Sequence, residues 1–294
     1  MKYTSLFLKK MFPIVALVAV FVASCTDIYF ENPVPKGGET LRSAPAEWSG
    51  LYIVEPDAGD EVSVFEELFR TCFRFERTEE GNLLVSTENR MHAKDLLRLK
   101  KELDAQKQEG KLLDYQMTES FIFCRLKTET EGQDGVEEQY TTLIKSGSWY
   151  VLSQTVQPYW TFNFKSGQRL EYEPEQRATV QTAFLPAADS VSVNSSQLIA
   201  RQKQKTWYFN TRKEADASWS LISVEQDSKG GLIVTLSSLD DRKKFEQRLE
   251  YYNAITPFRK VDDNRYEINP TDEALDRLMK VENVFQTIRM RKLE

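Results

Sequence analysis

The chain has a single histidine, His92, so any Ser-His-Asp relay would have to be built on it. It stands among Met91, Lys94 and Asp95, where a helix is expected, and no second histidine or nearby cysteine completes a metal-ligand set. No Gly-x-Ser-x-Gly elbow presents a serine, and neither Gly-x-x-x-x-Gly-Lys nor Gly-x-Gly-x-x-Gly offers a phosphate cradle. Paired carboxylates need no histidine and can hydrolyse a glycosidic bond when about 5–9 Å apart. The acidic doublets are Asp240-Asp241 and Asp262-Asp263. The first opens a helix, where acids offset the macrodipole. The second sits in a turn before Asn264 and lacks the Asp-x-Asp-x-Asp-Gly spacing of a calcium loop. Both read as structural, so no catalytic residue, metal ligand or cofactor is assigned. Flat aromatic faces in Tyr159–Phe164 and Trp207–Phe209 could stack on sugars, with Trp160 and Trp207 as the ligand-facing rings. Alternation puts Trp160, Phe162 and Phe164 on one side of a strand, which is how a sheet fills its core, and core is the preferred reading.

Cys25 offers a different chemistry. Val22-Ala23-Ser24-Cys25 closes an apolar run, Met11 to Phe21, that follows Lys2, Lys9 and Lys10. This is the layout of a secretory leader, with a positive start, a short apolar stretch and small residues at the cut. The run is too short to span a bilayer, which takes about 20 residues. A cysteine directly after the small residues resembles a bacterial lipobox. Residues 1–24 are therefore expected to be removed and Cys25 acylated as the mature N-terminus. One acyl chain holds a protein weakly and two or more hold it firmly.

Cleavage leaves 270 of the 294 residues, enough for one large domain or two small ones. The leader has three lysines and no acid, so the mature net charge is −9, three below the −6 of the whole chain. Such an acidic chain is not expected to bind nucleic acid, which needs dense Lys and Arg. Cys72 and Cys124 would then lie in an oxidising compartment where disulfides persist. A bridge between them, closing roughly 53 residues, would stabilise by about 4 kcal/mol in the chain-entropy account. Pairing and separate burial both stay open.

These groups must be positioned by elements that the periodicity outlines. Residues 25–47 read as an extended tether from Cys25, because Asn32 to Gly38 holds two prolines and two glycines and shows no periodic apolar face. The body runs over 48–294, with a subdivision considered near 185–197. Strand-like runs dominate it, among them Thr71–Arg77, Trp160–Phe164, Thr206–Asn210, Trp219–Glu225 and Leu232–Leu236. Helices are expected at 89–108, at 239–252 after Ser238 as cap, and at 270–281 after Asn269 as cap. The expected fold is α+β and β-rich, with antiparallel sandwich- or barrel-like sheets and about three peripheral helices.

The lipobox, Ile28 to Pro35, Leu41, Pro45 and Gly50-Leu51-Tyr52 together resemble the start of many Bacteroidota cell-envelope lipoproteins. Trp207 to Asn210, Trp219 and Tyr266 to Thr271 are similar to their later segments. The resemblance implies an outer-membrane protein held by N-terminal lipid, and brings no activity with it. In such bacteria acids soon after the lipid cysteine favour export to the cell surface. Asp27 and Glu31 give that signal, so the surface is favoured over the periplasm. The leading expectation is a non-catalytic envelope module binding an unidentified protein or glycan. The alternatives are a surface carbohydrate-binding or carbohydrate-active protein, and a lipocalin-like carrier of an apolar ligand, suggested by Trp48-x-Gly50-x-Tyr52.

Overall fold

The computed structural model describes residues 27–55, 67–110, 112–129, 136–153, 159–174, 191–213, 218–239 and 241–293. The leader, Cys25, Asp240 and positions 185–190 lie outside the described residues.

The described chain opens with β1 (Asp27–Phe30) and β2 (Glu39–Thr40). After a 3-10 turn at Ala46–Trp48 come β3 (Gly50–Val54), β4 (Phe69–Arg77) and β5 (Leu83–His92). An excursion follows, made of α1 (Leu96–Gln108), β6 (Leu112–Met117), β7 (Phe121–Glu129), β8 (Val136–Ser146) and β9 (Trp149–Ser153). The chain then runs through β10 (Tyr159–Asn163), β11 (Gln168–Pro174), β12 (Val191–Lys203), β13 (Thr206–Arg212), β14 (Ser220–Gln226) and β15 (Leu232–Leu236). A second excursion holds α2 (Arg242–Gln247), α3 (Leu249–Asn253), β16 (Arg259–Asp262), β17 (Arg265–Ile268) and α4 (Asp272–Leu278), before β18 (Gln286–Lys292).

Strands β3, β4, β5, β10 to β15 and β18 pair antiparallel in that order, and β18 returns to β3, with Met290 opposite Val54. The result is a closed ten-stranded antiparallel barrel in a β-rich α+β protein. Closure removes sheet edges from the wall. β5 joins the barrel to an outward extension of the same sheet. Its first residues, Leu83 to Ser86, close the barrel against β10, while Arg90 to His92 pair with β9 and carry the sheet outward through β8, β7 and β6.

Alternation decides which side chains enter the barrel. Trp207 and Phe209 point inward and Tyr208, between them, packs outside with Trp219 and Leu221. Tyr52, Phe73, Phe75, Val85, Trp160 and Phe162 join them inside. The rings interlock: Trp48 meets Trp207 edge-on at 4.9 Å, Tyr52 meets Phe75 at 5.3 Å, and Phe162 meets Phe209 at 5.5 Å between centroids. Each such buried ring contributes about 1.5–3 kcal/mol of burial. The β4–β5 hairpin needs glycine at 81, where φ is +87° and an added Cβ would lie 2.7 Å from the Ser43 Cβ.

Residues 27–47 are not an extended tether. β1 pairs in parallel with β17, which pairs with β16, so the segment forms part of a small three-stranded sheet. Ile28 and Phe30 are fully buried in a second core with Trp219, Phe245, Tyr266 and Leu275. The Asn210 amide grips Val34 as a neighbouring strand would, accepting from its N–H at 2.8 Å and donating to its carbonyl at 2.7 Å. Arg201 donates to the carbonyls of Pro33 and Pro35. Asp272 accepts from the Lys36 and Gly37 amides at 2.8 and 3.2 Å. Prolines and glycines here let the chain follow the body's surface; they do not free it.

The helix expectations shift by a few residues. Positions 89–92 continue β5, because Met91 is fully buried opposite Tyr150. The helix expected at 239–252 is two short ones, capped by Asp241, which accepts from the Lys244 amide at 3.0 Å. α4 is capped by Thr271, which accepts from the Ala274 amide at 3.2 Å. Residues 191–197, part of the stretch considered as a subdivision, lie within β12 in the barrel wall.

Candidate functional site

The first excursion holds a groove beside an open sheet edge. α1 packs Leu99 and Leu103 onto Leu112, Ile122, Cys124 and Leu143 of the β6–β9 sheet. The sheet ends at β6, whose only strand partner among the described residues is β7. A row of backbone N–H and C=O groups on the far side of β6 is therefore left without a strand to bond. Beside that edge runs a groove of about 440 Å³ between α1 and β6, lined by Leu96, Leu97, Lys100, Asp104 and Lys107 of α1 and by Tyr115 and Met117 of β6. Leu97, on its rim, is 75% exposed, the most open large apolar side chain among the described residues.

Local sequence explains the groove. A bulge between Leu112 and Asp114 resets the pleat, so that Tyr115 and Met117 turn towards α1 while Asp114 and Gln116 face solvent. The Tyr115 hydroxyl donates to the Asp104 carboxylate, and that bond pushes the phenol up to about 12. Lys107 donates to Asp114 at 2.7 Å, and this bond holds the Asp114 carboxyl below its usual range. Tyr115 thus stays neutral, and Lys100 supplies a cation on the groove wall. On the opposite face of the same sheet, Phe121, Ile144 and Val151 form one register row, with Phe121 and Ile144 exposed.

The aromatic residues considered for sugar binding lie elsewhere. Trp160 and Trp207 are buried inside the barrel, at 9% and 8% exposure, and are closed to a surface glycan. Alternation holds them there, and Trp207 also meets Trp48 edge-on. His92 ends β5 rather than lying in a helix; its Nδ1 accepts from the Lys94 amide at 3.2 Å, and its ring meets Trp149 edge-on at 5.0 Å. Asp262 accepts from the Asn264 amide at 2.8 Å and Asp263 from the Lys260 ammonium at 3.0 Å, both roles within a turn. Among the described residues no group of three or more His, Cys, Asp or Glu side chains is placed to hold a metal ion.

Cys72 and Cys124 are separate free thiols. Cys72 packs with Leu51 and Ile53 on the barrel wall, whereas Cys124 lies beneath α1. Burial pushes both thiols up to about 12, which leaves almost no thiolate at neutral pH. Differential alkylation with peptide mapping is expected to find both unmodified in the native protein and both labelled after unfolding. A native disulfide between them would contradict this arrangement.

Around β1 the polar groups are tightly committed. Glu267 accepts from the Ser218 hydroxyl and pairs with Arg259 and with Arg265, at 3.3 Å for the latter. The Ser218 hydrogen bond is the largest influence holding its carboxyl below the usual range. Arg265 also lies over the Tyr29 ring at 4.4 Å, so the cation in register with Asp27 is engaged elsewhere. Asp27 consequently suffers from burial, which pushes its carboxyl from 3.8 up to about 6 against a hydrogen bond with Tyr29.

A raised carboxyl pKa means the folded state keeps its proton longer than the unfolded chain. Stability available below about pH 4 is lost as the pH rises to about 6, and the full penalty stands at neutral pH. Two pKa units would correspond to roughly 3 kcal/mol, which partial solvent access reduces to about 1 kcal/mol. Asp27→Asn is expected to raise the neutral-pH Tm and to flatten the decline between about pH 4 and pH 6. An unchanged profile of Tm against pH would show that the carboxyl is solvated.

Comparison of the chain with protein-family models, curated proteins and solved structures gave no match.

Proposed function

We propose that this protein is a non-catalytic binding module of the cell envelope, lipid-anchored through Cys25, which takes up an extended segment of a partner protein along β6. The observation that carries the reading is the unpaired β6 edge lying beside the α1 groove. A peptide added there gains main-chain hydrogen bonds from the edge, and its alternate side chains enter a groove of mixed apolar and charged lining. The barrel serves as a rigid scaffold for the excursion that β5 carries outward. The carbohydrate reading loses its support, because the rings on which it depended are core residues.

Peptide-library selection against the protein tests the proposal. Selected peptides are expected to protect the amides of residues 112–117 from hydrogen exchange. Binding should weaken at least about tenfold in Leu97→Asp, which puts a charge on the apolar rim, a change worth about 1.4 kcal/mol or more. Peptides that bind without either effect would place recognition elsewhere.

A second reading has its own observation. The Trp48 indole N–H and the Tyr52 hydroxyl are fully buried within the barrel with no hydrogen-bond partner among the described residues. Buried polar groups left unpaired are costly, and a small amphipathic guest that bonded them would make the barrel a lipocalin-like carrier. Such a guest would quench tryptophan emission, and Tyr52→Phe would weaken its binding. Saturable quenching that Tyr52→Phe leaves untouched would refute this alternative.

A further inference from the structure

A lipid anchor at Cys25, the reading on which the orientation proposed below rests, has a geometric consequence. Only Thr26 separates Cys25 from Asp27, the first residue of β1. Two Cα–Cα steps of about 3.8 Å keep the Cys25 Cα within about 7.6 Å of the Asp27 Cα, whatever the conformation between them. A lipid carried on that cysteine cannot stand off from the folded body. Whatever surrounds Asp27 must lie at the headgroups.

The surroundings of Asp27 come from two elements. Its amide donates to the Asn264 carbonyl at 2.9 Å, in the β16–β17 turn, and Asp27 bridges to Ser238 at the end of β15. Arg242, at the start of α2, reaches the Asn264 side chain at 3.3 Å. We infer that this end of the body, made of the β16–β17 turn and the start of α2, is the surface that rests on the lipid headgroups.

Its charge suits that partner. A mature chain of net charge −9 is repelled by an anionic bilayer. Here, however, three of the acids are matched by cations: Asp241 by Lys244 at 3.2 Å, Asp263 by Lys260 at 3.0 Å, and Glu246 by Arg242 at 2.9 Å. Val261 projects from β16 at 46% exposure, an apolar side chain that suits the boundary between headgroup and acyl chain. The β6 groove hangs from β5, which stands five strands from β14 in the ring of ten, on the opposite wall.

Energy transfer tests the orientation. The full-length protein is made in a bacterial host that acylates lipoproteins, purified in detergent and reconstituted into vesicles of phosphatidylethanolamine and phosphatidylglycerol. The vesicles carry a headgroup acceptor dye. A donor dye is placed at Val261→Cys or at Lys229→Cys. Lys229 lies in the β14–β15 turn, at the far end of a seven-residue strand that spans about 20 Å. Transfer from position 261 is expected to be at least about twice that from position 229. Equal or reversed transfer in protein that floats with the vesicles overturns the orientation and leaves the anchor standing. If the protein does not float, and Cys25→Ser behaves as wild type, the anchor itself fails and the orientation with it.

Discussion

Phe30→Ala is expected to lower the unfolding free energy by about 3–5 kcal/mol, the range for truncating a fully buried aromatic residue. In a free tether the same change would stay within about 0.5 kcal/mol. Phe30 is fully buried and stacks on Phe285 at 6.3 Å between centroids. Its backbone exchanges two hydrogen bonds of 2.8 Å with Trp219, at the entrance to β14. Losing the ring therefore leaves a cavity where β1, β14 and the segment before β18 meet, and the bonds to Trp219 keep the backbone from collapsing into it. A urea titration reads the result as a fall in midpoint at nearly constant slope. An unchanged midpoint would mean that β1 is not part of the cooperative unit, and the second core would then have to stand without it.

The second large effect concerns Cys25. Cys25→Ser is expected to move the protein from the membrane pellet to the soluble fraction, because each buried methylene of an acyl chain contributes about 0.8 kcal/mol and the variant carries none. No helix among the described residues is long and apolar enough to cross a membrane, so a pelleted variant could not be attributed to a spanning helix among them. Retention of the variant would sink the lipid anchor. Protease added to intact cells then separates the two sides: digestion of the wild type places it at the cell surface, and resistance places it facing the periplasm.

Strand content and the inward aromatic set were legible because period-two alternation survives in short runs, as in Trp207-Tyr208-Phe209. Barrel closure was not legible. It depends on β5 exchanging one partner for another between Ser86 and Arg90, a matter of register that no local pattern encodes. β1 was hidden for a related reason. Its apolar pattern is only Ile28 and Phe30, and its parallel partner begins at Arg265, so that four residues carried too little signal beside the prolines after them. The caps were misplaced between chemically similar candidates. Asn269 is a good cap by type, but it accepts from Lys36 and donates to Glu31 at 3.0 Å, which leaves Thr271 to start α4. The groove was beyond reach, since Leu97 and Tyr115 become neighbours only once α1 lies over the sheet edge.

The parallel pairing of β1 with β17 also sets a timetable. A chain that is exported N-terminus first presents Asp27 long before Arg265, its partner 238 positions later, has emerged. Until then β1 lacks its parallel strand partner, and in the lipid-anchored reading Cys25 would stay accessible to processing and acylating enzymes. Asp27 is half-buried in the finished protein, and Glu31 is bonded by Asn269 and faces Arg259 at 3.7 Å. Folding therefore half-hides Asp27 but leaves the Glu31 side chain exposed, so a factor that needed Asp27 free would act before β17 docks, whereas one that needed only Glu31 could act at any time.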